Sequence, residues 1–233
     1  MPKDTDSPRP DPAKAATAAL LRALADAQPD GPPPPPLVPL PQMALTRGRV
    51  HEITGPARRT LAALAAGAAQ VEGPVLWLRP GWRVEHFCAQ GLADLVPDPG
   101  ALVLAACPRA DDVLWGMEEA LRAGAVALVV GELAEPPDLR QLRRLHLAAG
   151  EGLARNRLAG RMQPAPLGLV LACDSADSRI AGVESRWALH PLPPLPPGAP
   201  APEPQIRTAG RWRLDRLLMR GQPPQDWEVA GQS

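Results

Sequence analysis

Three short stretches of this chain carry no polar side chain: Pro74-Val75-Leu76-Trp77-Leu78, Val126-Ala127-Leu128-Val129-Val130 and Leu167-Gly168-Leu169-Val170-Leu171. Runs this short and this apolar are strands buried on both faces, as in the interior of parallel sheets. Val50–Ile53 and Ala101–Ala105 supply two more strands. Helical segments alternate with them. Arg59–Ala69 follows the first strand, and Val84–Gly91 predicts a short helix after the second. Asp111 or Asp112 caps a helix through Arg122, with Val113, Leu114, Met117 and Leu121 on its apolar stripe. Asp138 caps another that carries Leu139, Leu142, Leu145 and Leu147. This alternation predicts an α/β fold, a parallel sheet sandwiched by helices.

The first strand–helix unit has a special form. Gly48-Arg49-Val50-His51-Glu52-Ile53-Thr54-Gly55-Pro56 is a strand running into a tight turn, and the helix opens at Arg59-Thr60-Leu61. Strand, glycine turn and helix form the frame of a nucleotide-binding phosphate loop. A working loop also needs a longer arch, a lysine on the β- and γ-phosphates and a hydroxyl on Mg²⁺. Here the turn Gly55-Pro56-Ala57-Arg58-Arg59-Thr60 is short and has no Gly-Lys pair. Lysine occurs only at positions 3 and 14, ahead of the predicted core.

Ahead of the core, residues 1–10 are polar and proline-rich and are expected to be disordered. Residues 11–28 predict a helix with Leu20, Leu21 and Leu24 on one face. Residues 29–44 are expected to be a stiff proline-rich linker, leaving 45–233 as the core domain. After Asp174 the rhythm changes. A polar loop at 174–182 precedes an alternating strand, Val183–His190, and a proline-rich loop at 191–204 follows. Arg211–Leu217 and Asp226–Val229 bracket Gly221-Gln222-Pro223-Pro224, as antiparallel edge strands joined by a turn would.

The formal net charge is zero, so no global field draws the protein to nucleic acid or membrane. Cys88, Cys107 and Cys173 form no CxxC pair and are expected to be reduced thiols. Met1–Asp6 is polar, no apolar run is long enough to span a bilayer, and a cytoplasmic location is expected.

Two resemblances follow from these motifs. Gly48–Leu64 resembles the strand, phosphate turn and helix of RecA in shortened form, and Asp111–Val130 resembles the RecA helix and strand that lead to the Walker B acid. A closer likeness is to ImuA, the RecA-like (also SulA-like) accessory family of damage-induced mutagenesis. It rests on Gly48–Glu52, Val75–Leu78, Leu114–Leu121, Val129–Leu133, Arg211–Leu214 and Trp227–Val229, and spans about residues 45–230. The resemblance implies a RecA-like P-loop NTPase-type fold with a degenerate phosphate loop. It also implies an adaptor role in error-prone translesion synthesis, beside a Y-family pseudo-polymerase (ImuB-like), RecA and an error-prone replicative-type polymerase. Against the RecA pattern, Arg79-Pro80-Gly81 stands where a catalytic glutamate is expected, and Glu132 stands at the Walker B aspartate. With several working parts altered, neither ATPase activity nor a cofactor or metal is expected.

Candidate site residues fall into three groups. Gly55, Thr60 and Glu132 are the remnant of a nucleotide site; a nucleotide-gated switch would use them. Arg58 and Arg59 at the helix start, with Arg143 and Arg144 on the later helix and Arg155 and Arg157 in the stretch 152–160 that follows it, are candidate phosphate or DNA contacts, or else solvated surface charge. Leu20, Leu21, Leu24, Arg211, Trp212, Arg213 and Trp227 are candidate partner contacts, self-association included; the two tryptophans read equally as caps on the sheet core. Glu118 and Glu119 read as an exposed helix face, and His51 as an edge or half-buried residue. A SulA-like cell-division inhibitor is a further alternative.

Overall fold

The computed structural model describes residues 33–83, 88–160, 165–171, 180–196, 203–207 and 209–231. The expected disorder at 1–10, the helix at 11–28 with Leu20, Leu21 and Leu24, Cys173 and most of the 174–182 loop lie outside them. Two compact units, Met1–Pro33 and Pro34–Ser233, make up the chain, and the second carries the sheet.

In chain order the elements are β1 (Leu37–Leu40), β2 (Met43–Leu45), β3 (Val50–Thr54), α1 (Arg58–Gln70), β4 (Val75–Pro80), α2 (Ala89–Ala93) and β5 (Leu102–Cys107). Then come α3 (Ala110–Ala123), β6 (Leu128–Glu132), α4 (Leu139–Leu158), β7 (Leu167–Leu171), β8 (Ser185–Leu192), β9 (Pro204–Ile206), β10 (Arg211–Met219) and β11 (Gln225–Gly231). Nine strands form one sheet in the order β5-β4-β6-β7-β3-β8-β10-β11-β9. The first six run parallel; β10 is antiparallel to β8, and β11 to β10. The expected α/β architecture with antiparallel C-terminal strands is therefore present. The sheet does not end on them, however: β9, from the end of the predicted 191–204 loop, pairs parallel with β11 and covers its edge.

Strand periodicity sorts the core into two layers. Val75 and Trp77 of β4, Leu128 and Val130 of β6, and Leu167, Leu169 and Leu171 of β7 face α1. Leu78, Val129 and Val170 face α3 and α4 on the other side. Both faces of these parallel strands are covered, which is why their central residues are apolar and Arg79 and Glu132 fall only at or near the carboxyl ends.

One boundary moves. Residues 37–45, read from sequence mostly as proline-rich linker, form the β1–β2 hairpin, with Leu37 opposite Leu45 and Leu40 opposite Met43. All four side chains are buried in the α1 layer. Four large apolar side chains offset the ordering of nine residues, whereas Pro33, Pro35 and Pro36 just upstream are exposed.

Close packing of α4 on α3 depends on Gly152, where a Cβ would lie 2.0 Å from the Leu121 carbonyl oxygen. A backbone oxygen cannot rotate away as a side chain can. Gly152→Ala is expected to lose about 2 kcal/mol of stability in urea unfolding. Gly150→Ala on the same helix, with open space around it, is expected to be neutral or to gain up to about 1 kcal/mol from helix propensity.

Candidate functional site

The carboxyl ends of β3 and β6 and the start of α1 bring the remnant residues to one end of the sheet. Thr54 closes β3, Gly55 turns the chain with φ 86°, and α1 starts at Arg58. A side chain at Gly55 would sit 3.0 Å from the Leu189 carbonyl of β8, so the turn lies directly on the neighbouring strand. That carbonyl accepts the Ala57 N–H at 3.1 Å, and the Gly55 carbonyl accepts the Arg58 N–H at 3.2 Å. A phosphate loop aims such N–H groups at its ligand. Here two of them are used by the protein's own carbonyls.

Glu132 ends β6 and is only 6 % exposed. Arg59 in the first turn of α1 grips it with a fork: Nε donates to Oε1 at 3.1 Å and Nη2 to Oε2 at 2.7 Å. The buried Trp77 indole N–H of β4 donates to the same Oε1 at 3.0 Å. The carboxylate at the expected metal-acid position thus accepts three hydrogen bonds from within the chain, and a guanidinium neutralises it. Arg59 is turned inward, which corrects its reading as a solvated charge or an anion contact at the loop mouth. Thr60 sits half-buried in the first helical turn. Sequence reasoning missed Trp77 as part of this site, because a tryptophan inside an apolar run signals packing alone.

A second polar chain lies beside the turn. His51, on the interior strand β3, is fully buried rather than an edge or half-buried residue. The Thr46 carbonyl lies 3.0 Å from its Nε2 and can only accept, so Nε2 carries the proton. Nδ1 then accepts from the Ser185 hydroxyl at 2.7 Å, and Ser185 Oγ accepts the Trp187 indole N–H at 2.8 Å. Burial is the main cause that pulls the His51 pKa down to about 4, opposed by the Thr46 hydrogen bond. Neutral and fully bonded, this histidine ties β3 to β8. Glu52 and Arg186, register partners on the same two strands, form a buried ion pair.

The basic residues of α4 do not form an unbroken stripe. Arg143, Arg144 and Arg155 are exposed and Arg157 is half-buried. Arg144 pairs with Glu118 at 2.6 Å, while Glu151 on the next turns pairs with Arg122 at 3.0 Å. Glu118 is buried between Arg122 and Arg144, correcting its reading as exposed surface; Glu119 is exposed. Burial raises the Glu118 pKa, but the two guanidiniums outweigh it and hold the carboxyl below its ordinary value.

Of the C-terminal candidates, Trp212 is a core residue at 8 % exposure and cannot serve as a surface anchor. Trp227 is half-buried, stacked on Trp187 with centroids 6.2 Å apart, and the Arg216 guanidinium lies over its ring at 5.2 Å. Arg211 is held by Glu228 and the Pro193 carbonyl, each at 2.8 Å, and exposed Arg213 pairs with Asp215 at 2.9 Å. Exposed apolar groups include Leu217 and Leu218 on β10 itself, and away from it Trp115 on α3 and Val103 and Leu104 on the edge strand β5. Trp115 was legible, since it falls off the Val113, Met117, Leu121 stripe; the exposure of β5 was not, because sequence does not say which strand is the edge.

Among the described residues, no group of three or more His, Cys, Asp or Glu could hold a metal ion, and no helix is long and apolar enough to cross a membrane. No protein-family model matches the chain, and no curated protein matches it. The ImuA resemblance rests on its motifs alone.

Proposed function

We propose that this protein is a non-catalytic adaptor of the ImuA type, a RecA-like core that positions partners in error-prone translesion synthesis and does no chemistry of its own. The observation that carries the non-catalytic part is the Arg59–Glu132–Trp77 cluster at the remnant site. Nucleotide with Mg²⁺ would have to break a part-buried forked ion pair, and no lysine of the sheet unit could then take the phosphates. The adaptor part is supported by the motif resemblance and by the α/β sheet. By that resemblance the partners are a Y-family pseudo-polymerase, RecA and an error-prone replicative-type polymerase.

Two measurements test the reading. Titration calorimetry with Mg-ATP is expected to give no saturable heat. Saturable binding that vanishes in Glu132→Ala would overturn the non-catalytic reading in favour of a nucleotide-gated switch. A tagged pull-down from cells given a DNA-damaging agent is expected to recover RecA and a Y-family homologue. Recovery of neither, with folded and abundant bait, would overturn the mutagenesis role; filamentous growth on overexpression would instead support division inhibition.

A further inference from the structure

A cleft of about 430 Å³ opens between α4, the turn before β8 and the end of β10. Three arginines from three separate parts of the chain line it: Arg49 ahead of β3, Arg143 on α4 and Arg220 after β10. All three are exposed. Arg49 has one loose counter-charge, Glu184 at 3.9 Å, and Arg143 and Arg220 make no ion pair among the described residues. Arg144 and Arg122 nearby, by contrast, are each matched by a carboxylate. The cleft therefore has a surplus of positive charge inside a protein of zero net charge.

Its wall is apolar and fixed. Leu139 and Leu147, 62 % and 60 % exposed, line the cleft together with buried Leu142. His146 fastens the wall on two sides: its Nδ1 accepts the Val50 N–H at 3.3 Å and its Nε2 donates to the Gly182 carbonyl at 3.1 Å. Gly182, at φ 89°, sits against Leu139. Both ring nitrogens of His146 are committed, so it holds the cleft's shape and the arginines are its available cations.

We infer that this cleft docks a short acidic, aliphatic peptide segment of a partner protein, with carboxylates on Arg49, Arg143 and Arg220 and a leucine-like side chain on Leu139 and Leu147. Guanidiniums bind carboxylates in forked pairs, and an aliphatic shelf beside them suits acidic-apolar motifs. Nucleic acid fits less well. Among the described residues the lining has no aromatic platform apart from the committed His146, and the Glu118 and Glu151 pairs interrupt the positive track along α4. The inference rests on the adaptor reading only in that the ligand belongs to a partner protein.

The test uses the full chain on an array of random heptapeptides. Enrichment of Asp or Glu beside Leu, Ile or Met is expected. The triple variant Arg49→Glu, Arg143→Glu, Arg220→Glu is expected to switch the preference to Lys or Arg. Arg155→Glu, on the same helix but outside the cleft, should leave it unchanged. Arg143→Ala with Arg220→Ala should weaken the best labelled peptide at least about tenfold by fluorescence anisotropy, with circular dichroism confirming the fold. No acidic-aliphatic enrichment, or the same preference in the charge-reversed variant, overturns the proposal. So does a twelve-residue oligothymidylate that binds through these arginines while the peptides do not. Failure here leaves the pull-down result intact, and failure of the pull-down leaves the peptide preference intact.

Discussion

Trp77→Ala is expected to lower folding stability by about 4 kcal/mol, measured as the shift in urea unfolding free energy. Trp77 is among the largest fully buried side chains, in the layer between β4 and α1. Truncation leaves a cavity there and removes a donor from a carboxylate that is itself buried. Trp77→Phe keeps most of the packing and should lose about 1–2 kcal/mol, the part due to the lost N–H. Arg59→Ala should lose about 2 kcal/mol, below the usual range for a broken buried pair because the Arg59 side chain is 33 % exposed. The double variant should fall short of the sum, since both donors serve Glu132 Oε1. Losses under about 0.5 kcal/mol in both Trp77→Phe and Arg59→Ala would mean that Glu132 is held by other groups.

Acidification should expose the buried histidine. Folded His51 stays neutral down to about 4, whereas an unfolded histidine protonates near its ordinary value of 6.5. As pH falls the unfolded chain takes up the proton first. The contribution of His51 is therefore constant above about pH 6.5, declines between 6.5 and 4, and levels off below, for a loss of about 3 kcal/mol. His146, also held below its ordinary pKa mainly by burial, acts in the same direction. Glu52 opposes both, because burial raises its pKa despite Arg186. The His51 part is isolated by comparing urea midpoints of the wild type and His51→Gln at pH 7.5 and 4.5. Gln offers an acceptor for Ser185 and a donor for Thr46 but does not titrate. A pH slope unchanged in the variant would show that acid sensitivity arises elsewhere.

Much of the architecture was legible because burial on two faces leaves a strong mark. Stretches such as 128–131 and Leu167–Leu171 are apolar because they lie inside a covered parallel sheet, and Asp138 caps its helix as expected, whereas α3 starts earlier than read, with Arg109 as its N-cap and Asp111 and Asp112 inside the first turn. The hairpin at 37–45 was not, because four buried side chains interleaved with prolines do not show the period of either element. At the candidate site the absence of a lysine was plain, but the partner of Glu132 was not. Arg59 and Glu132 stand 73 positions apart, and only the placing of β6 beside β4 and under α1 makes them meet.

The sequence by itself determined the alternation of strands and helices, the short turn after β3 and the absence of any lysine beyond position 14, since each depends on residue type and local spacing. Tertiary structure decided what became of the residues left behind. It turned Arg59 inward onto Glu132, buried His51 and Trp212, and left Arg49, Arg143 and Arg220 together at one cleft. Which arginine faces a carboxylate and which faces water follows from strand order and helix placement, and those are set by the packing of distant segments.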